Sequence, residues 1–188
     1  MSRQLEGHRV AILATDGVEQ DELIVPRRAV EEAGAAVTLI SLEPGEIQAF
    51  RADVQQADRF PVDLVVSRAS VDDFDGLILP GGTMNPDRLR VDDHAVAFVR
   101  HFVHVGKPVG AIGHGPWMLL EADVVGGRTL TSWPSLRTDI INAGGSHVNE
   151  KVVVDRNLIT SRGPADLHWF CAAIVGKFTQ MPQPVEPL

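Results

Sequence analysis

The chain has 188 residues, of which 44% are hydrophobic, enough to form the core of a single domain spanning residues 1–188. The net charge of −8 and the scattered positions of its 17 Lys and Arg residues argue against binding to nucleic acid or to an anionic membrane surface. No stretch is apolar enough for a secretory signal or a membrane span, so we expect a cytoplasmic protein.

Short β-rich segments alternate with helical patterns along the chain. The predicted strands are residues 9–14, 36–41, 77–79, 108–112, 129–132, 148–154 and 158–161, with a small β excursion over 47–67. The predicted helices are residues 22–33, 92–105, 118–121, 135–143 and 166–178, and the proline-rich tail 181–188 is predicted to fray. This order predicts an α/β fold of the flavodoxin-like kind, a three-layer sandwich whose mostly parallel sheet carries helices on both faces.

Three turns follow predicted strands and should meet at the carboxyl edge of the sheet, where ligands bind in such folds. They comprise residues 15–22, 80–87 and 113–117. None contains the glycine pattern of a dinucleotide or nucleotide phosphate site, so no cofactor is expected. The pair His101 and His104 lies on a charged helix face rather than in a metal-binding pattern, so no metal is expected either.

The most distinctive local feature is an abrupt strand-to-helix turn at residues 111–115. A nucleophile elbow has this shape, since its central residue is held in a strained backbone conformation at the tip of a strand. The central residue here is Gly113, which suits the backbone but offers no side chain for attack.

Several motifs along the chain resemble those of the PfpI-type intracellular peptidases, relatives of the parkinsonism-associated deglycase and of class I glutamine amidotransferases. They lie at residues 16–19, 22–26, 79–82, 85–87, 114–117, 130–135 and 158–162. The resemblance implies a catalytic cysteine at position 113, followed by His114, with Glu22 beside it and Asp87 reaching in from a neighbouring subunit. The residues expected to surround a ligand are Gly81, Gly82, Gly115, Trp133 and Arg162.

Each of these residues also has a structural interpretation. Glu22 can interact with a helix dipole, Asp87 can cap a turn, and His114 can hydrogen-bond at the start of its helix. Arg162 can bind an anion or pair with a surface acid. The only cysteine, Cys171, falls on an apolar helical stripe and is expected to pack in the core as an inert residue.

Three functions remain open from the sequence. The chain can be a form, natural or engineered, of a stress-protective hydrolase or deglycase that lacks the catalytic cysteine. It can instead be a non-enzymatic chaperone-like or ligand-binding protein, or a weak non-covalent enzyme in which His114 activates water. A small carbonyl compound or a peptide is the expected ligand. A homodimer or hexamer is expected because Asp87 would complete the site in trans.

Overall fold

The computed structural model describes residues 3–180. The predicted frayed tail, residues 181–188, lies outside the described residues. Within residues 3–180, no helix combines the length and the apolar character needed to cross a bilayer.

Twelve strands and six α-helices make up the described part of the chain. The strands are β1 (Arg9–Leu13), β2 (Val18–Glu19), β3 (Ala36–Ser41), β4 (Glu46–Arg51), β5 (Gln55–Pro61), β6 (Leu64–Val65), β7 (Gly76–Leu79), β8 (Val109–Ile112), β9 (Thr129–Leu130), β10 (Ser146–His147), β11 (Val152–Asp155) and β12 (Leu158–Ser161). The helices are α1 (Gln20–Glu32), α2 (Met84–Leu89), α3 (Asp93–His104), α4 (Trp117–Glu121), α5 (Arg137–Asn142) and α6 (Leu167–Phe178).

Seven strands form the central sheet in the order β6–β3–β1–β7–β8–β12–β11. All neighbours are parallel except β11, which pairs antiparallel with β12 at one edge. The chain first moves from β1 to β3 on one side and later resumes at β7 on the other. The carboxyl ends of β1 and β7 therefore border the crevice in which ligands bind in open α/β sheets.

Apolar residues on alternate strand positions bury both faces of this sheet. On β1, Val10 and Ile12 pack in one cluster with residues of α1 and α6, whereas Ala11 and Leu13 pack in another with residues of α3 and α4. Such two-sided burial is what a covered parallel sheet requires. The predicted three-layer sandwich is confirmed.

A smaller sheet of β2, β4 and β5 stands beside the main one. The β4–β5 hairpin turns at Ala52 and Asp53, whose φ angles of 50° and 62° are both left-handed. A tight hairpin needs this backbone at its two central residues, although glycine and asparagine adopt it more readily than alanine. The sequence predicted a small β segment over residues 47–67, but it did not predict where the turn of this hairpin lies relative to the main sheet.

Helix α2 is the element that the sequence analysis missed. The segment after Pro80 was interpreted as a turn leading to a helix at residue 92, but residues 84–89 form a helix of their own. Pro86 lies within its first turn, where the missing N–H of proline costs little. The predicted helix 135–143 is also shorter than expected, because a 3-10 turn at Pro134–Leu136 precedes α5.

Candidate functional site

The tip of β8 carries the predicted elbow. Gly113 follows Ile112 directly and has a left-handed φ of 63°. Its N–H donates to the Ser161 carbonyl and its own carbonyl accepts from the Trp133 N–H, at 3.1 and 2.9 Å. Four turn residues separate the strand from α4, which begins only at Trp117. The left-handed conformation expected at the tip of a nucleophile elbow is therefore present, and the helix begins one residue before the predicted start at residue 118.

Glu22 approaches Gly113 from the first turn of α1. Its side chain is 2% exposed, and its Oε2 accepts a hydrogen bond from the Gly81 N–H at 2.7 Å. The pKa of Glu22 is raised to about 8, chiefly by burial. The hydrogen bond from the Gly81 N–H lowers this pKa, whereas the nearby carboxylates of Glu19 and Asp53 raise it further. At neutral pH the group is therefore mainly a protonated carboxyl that can donate a hydrogen bond.

The glycines around Glu22 permit close approach of the backbone. A Cβ at Gly81 would collide with Glu22 Oε2, and a Cβ at Gly115 would collide with the Leu79 carbonyl. Buried Asn85 holds this turn in place, since its amide donates to the carbonyls of Pro80 and Gly81. Both glycines therefore shape the site through the backbone and offer no side-chain contact.

His114 lies half-buried beside the elbow and between two tryptophans. Its ring stacks on that of Trp133 at a centroid distance of 5.9 Å and tilts against that of Trp117 at 5.2 Å. Its Nε2 is 3.3 Å from the Ser135 hydroxyl oxygen. Burial lowers the pKa of His114, while the Asp53 carboxylate acts in the opposite direction.

These groups line one cleft of about 330 Å³. Its walls are formed by Glu19, Glu22, Ala52, Asp53, Gly82, His114, Trp133 and Pro164. The structure thus brings together Glu22, His114, Gly82 and Trp133 of the predicted set, with Gly113, Gly81 and Gly115 forming the backbone beneath them. Trp133, 44% exposed, is a wall of the cleft as well as a packing partner of His114.

Asp53 and Glu19 are functional candidates that sequence reasoning missed. Both oxygens of Asp53 accept from Thr83, from its N–H at 2.7 Å and from its hydroxyl at 2.6 Å. Glu19 Oε2 accepts from the Ala52 N–H at 2.9 Å. Burial raises the pKa of Glu19, and the nearby carboxylates of Asp21 and Asp53 add to this effect. Glu19 belongs to the motif at residues 16–19. Nothing in the sequence indicated that the β4–β5 hairpin brings Asp53 to the cleft.

A known protein family matches most of the chain. Residues 8–177 match the DJ-1/PfpI family. The chain belongs to the DJ-1/PfpI family. YraA of Bacillus subtilis is 40% identical over 162 residues, covering 86% of this chain and 93% of that protein. Deglycase PfpI of Pyrococcus furiosus is 38% identical over 160 residues, covering 85% and 93% respectively.

Solved structures of this family superpose closely on the chain. DJ-1beta of Drosophila melanogaster matches with a TM-score of 0.82 and 28% identity, covering 95% of this chain and 91% of that one. A two-domain protein of Anabaena variabilis, with DJ-1/ThiJ/PfpI-like and ferritin-like domains, matches with a TM-score of 0.85 and 35% identity. The match covers 90% of this chain but 48% of that longer protein.

Two predicted residues of the DJ-1/PfpI site lie away from the cleft within one chain. Asp87 is exposed on α2 and borders a second cavity of about 200 Å³, which adjoins the cleft because Asp53 lines both. The guanidinium of Arg162 donates twice to Asp166, at 2.7 and 3.1 Å, and once to Asn149. Arg162 thus pairs with an acid, but Asp166 is buried and is not the surface acid that the sequence analysis considered. That Asp87 acts in trans remains a prediction.

Cys171 is not part of the cleft. It lies on α6, where its neighbours Phe170 and Ile174 are fully buried, but Cys171 itself is only half-buried. The apolar stripe predicted that Cys171 packs inside the core, but its side chain lies at the edge of the core. Burial raises the pKa of the Cys171 thiol to about 11, so the nucleophilic thiolate is scarce at neutral pH.

Proposed function

We propose that this DJ-1/PfpI protein binds a small polar carbonyl compound reversibly and carries out no covalent thiol chemistry. The observation that carries the proposal is the elbow itself. Residue 113 has the strained backbone that positions a nucleophile in this kind of turn, yet it is glycine. Loss of the nucleophile from a catalytic triad costs on the order of a millionfold in turnover.

The groups around Gly113 suit an uncharged carbonyl oxygen. Glu22 is protonated near neutral pH and can donate to it. In the described part of the chain, the backbone N–H groups of Gly82 and His114 have no protein acceptor, and both residues line the cleft. Several hydrogen-bond donors on residues that line one small space are typical of a site for an oxygen acceptor.

The family supplies the ligand class for this proposal. Relatives of this chain are named deglycases, and the sequence motifs resemble those of enzymes that attack glyoxal-type carbonyls. A protein that keeps Glu22 and His114 but lacks the thiol can hold a carbonyl compound without forming a covalent bond to it.

Binding and turnover are measured separately to test this. Binding is followed by tryptophan fluorescence with three compounds of similar size, namely glycinamide, glycolamide and oxamate. At least one should perturb the emission of Trp133, the signal should disappear in Trp133→Phe, and it should persist in Trp169→Phe, since Trp169 does not line the cleft. Turnover of methylglyoxal and of a peptide substrate is measured with and without iodoacetamide, which alkylates thiols. Iodoacetamide should leave both rates unchanged, because no turnover depends on a thiol.

Two results would refute the proposal. One is turnover that depends on a thiol in the protein as it stands. The other is the absence of any cleft-dependent binding among the three compounds.

A further inference from the structure

The charge of the cleft points to a narrower class of ligand. Two carboxyl side chains, Asp53 and Glu19, stand in its wall together with the protonated Glu22. No Lys or Arg within residues 3–180 lines it. Arg51, which lies 3.9 Å from Asp21, is outside this lining but its charge also acts on Glu19, whose pKa it lowers.

A buried polar group points into the same space. Glu22 is 2% exposed, and only its Oε2 has a hydrogen-bond partner within residues 3–180. Its Oε1 is left for a ligand on the cleft side, since Glu22 forms part of the cleft wall. Among the described residues, the only fully buried side-chain N or O atom without a partner is His147 Nε2, so Glu22 Oε1 keeps some exposure and can be reached by a ligand.

The acids of the cleft also repel one another. The Asp53 carboxylate contributes to the raised pKa of Glu19 and of Glu22, although burial is the larger cause for both. A positive charge placed between Asp53 and Glu19 would relieve that repulsion, whereas an anion would increase it. The exposed ring of Trp133 adds an aromatic surface to which a cation is attracted.

We propose that the cleft selects a small organic cation, a primary ammonium compound that also carries a carbonyl oxygen. The ammonium group lies at Asp53 and Glu19, and the oxygen faces Glu22 and the N–H groups of Gly82 and His114. The described residues contain no group of three or more His, Cys, Asp and Glu side chains that could hold a metal ion. This inference rests on the proposed function and names its ligand class.

The three probe compounds separate charge from shape. Glycinamide carries an ammonium at pH 7, glycolamide replaces it with a hydroxyl, and oxamate is an anion. Glycinamide should bind about tenfold more tightly than glycolamide, and oxamate more weakly than both. The preference for glycinamide should shrink as salt is added, because Asp53 is exposed.

Variants identify the residue responsible. Asp53→Asn removes the charge, keeps an oxygen acceptor for Thr83, and tolerates the left-handed backbone. It should bring the affinity for glycinamide down to that for glycolamide. Asp72→Asn removes an exposed charge outside the cleft and should leave the preference unchanged.

Several results would overturn the inference. The inference fails if glycinamide and glycolamide bind equally well, if oxamate binds more tightly than glycinamide, or if Asp53→Asn keeps the full preference for glycinamide. Each of these results would leave the proposed reversible binding intact. Displacement of glycinamide by Zn²⁺ at an equal concentration would assign the acids to a metal instead. If none of the three compounds binds, both the inference and the proposed function fail.

Discussion

The carboxyl of Glu22 lies where a side chain on Gly113 would begin. A Cβ placed on Gly113 would stand 2.6 and 2.7 Å from the two Glu22 oxygens, closer than such atoms approach in proteins. The left-handed φ of Gly113 adds a second reason for glycine at this position. The cleft is therefore packed around glycine, and any larger residue requires Glu22 to move.

The substitution Gly113→Ala should lower the free energy of unfolding by about 1–3 kcal/mol, because it combines an unfavourable backbone conformation with crowding against Glu22. Urea unfolding measures the effect. The matched control is Gly176→Ala on α6, where no atom lies within 4 Å of the new Cβ. That change should stabilise the protein by up to about 1 kcal/mol, because alanine favours a helix over glycine. Equal stability of Gly113→Ala and the parent protein would contradict this account of the elbow.

The buried Glu22 should make stability depend on pH. Its pKa in the folded chain, about 8, is above the ordinary value of 4.5, so the unfolded chain loses this proton at lower pH than the folded chain does. The contribution of Glu22 to the free energy of unfolding should therefore fall as pH rises from about 4.5 to 8 and level off above that range.

The variant Glu22→Gln cannot ionise but keeps an acceptor for the Gly81 N–H. Urea unfolding at pH 5 and pH 8 should show a smaller decrease in stability for Glu22→Gln than for the parent. Glu32→Gln, an exposed change on the same helix, should behave like the parent. Parallel pH profiles for the parent and Glu22→Gln would show that Glu22 is ionised in the folded chain at neutral pH.

Cys171 should react slowly in the folded protein. A thiol pKa near 11 instead of 9 lowers the thiolate fraction at neutral pH by about a hundredfold. Alkylation by iodoacetamide should accordingly be at least tenfold slower in the native chain than in urea-unfolded chain at the same pH. A native rate equal to the unfolded rate would show that Cys171 is available as a nucleophile.

Sequence motifs located the elbow and its neighbours because each follows a strand that ends at the same edge of the sheet. Gly113 and His114 follow β8, Gly81 and Gly82 follow β7, and Glu22 comes soon after β1. Their convergence follows from the parallel order of the sheet alone.

The charge of the cleft could not be predicted in the same way. Asp53 reaches it through the β4–β5 hairpin, whose turn has two left-handed residues without the glycine or asparagine that normally signals such a turn. The pairing of Arg162 with Asp166 and the bond between Asp53 and Thr83 also depend on tertiary contacts. Local patterns therefore predict the backbone of the site better than the side chains that cover it.

The central claim is that position 113 is the place of a nucleophile that this chain lacks. The most direct test is the alkylation rate of Gly113→Cys by iodoacetamide, followed by peptide mass spectrometry so that position 113 and Cys171 are measured in the same molecule. We expect the new thiol to react at least tenfold faster than Cys171, because it would stand against the Glu22 carboxyl and next to His114, both of which line the cleft, whereas burial holds the pKa of Cys171 at about 11. If the new thiol reacts no faster than Cys171 in a variant that remains folded, position 113 is not a nucleophile site and the account is wrong.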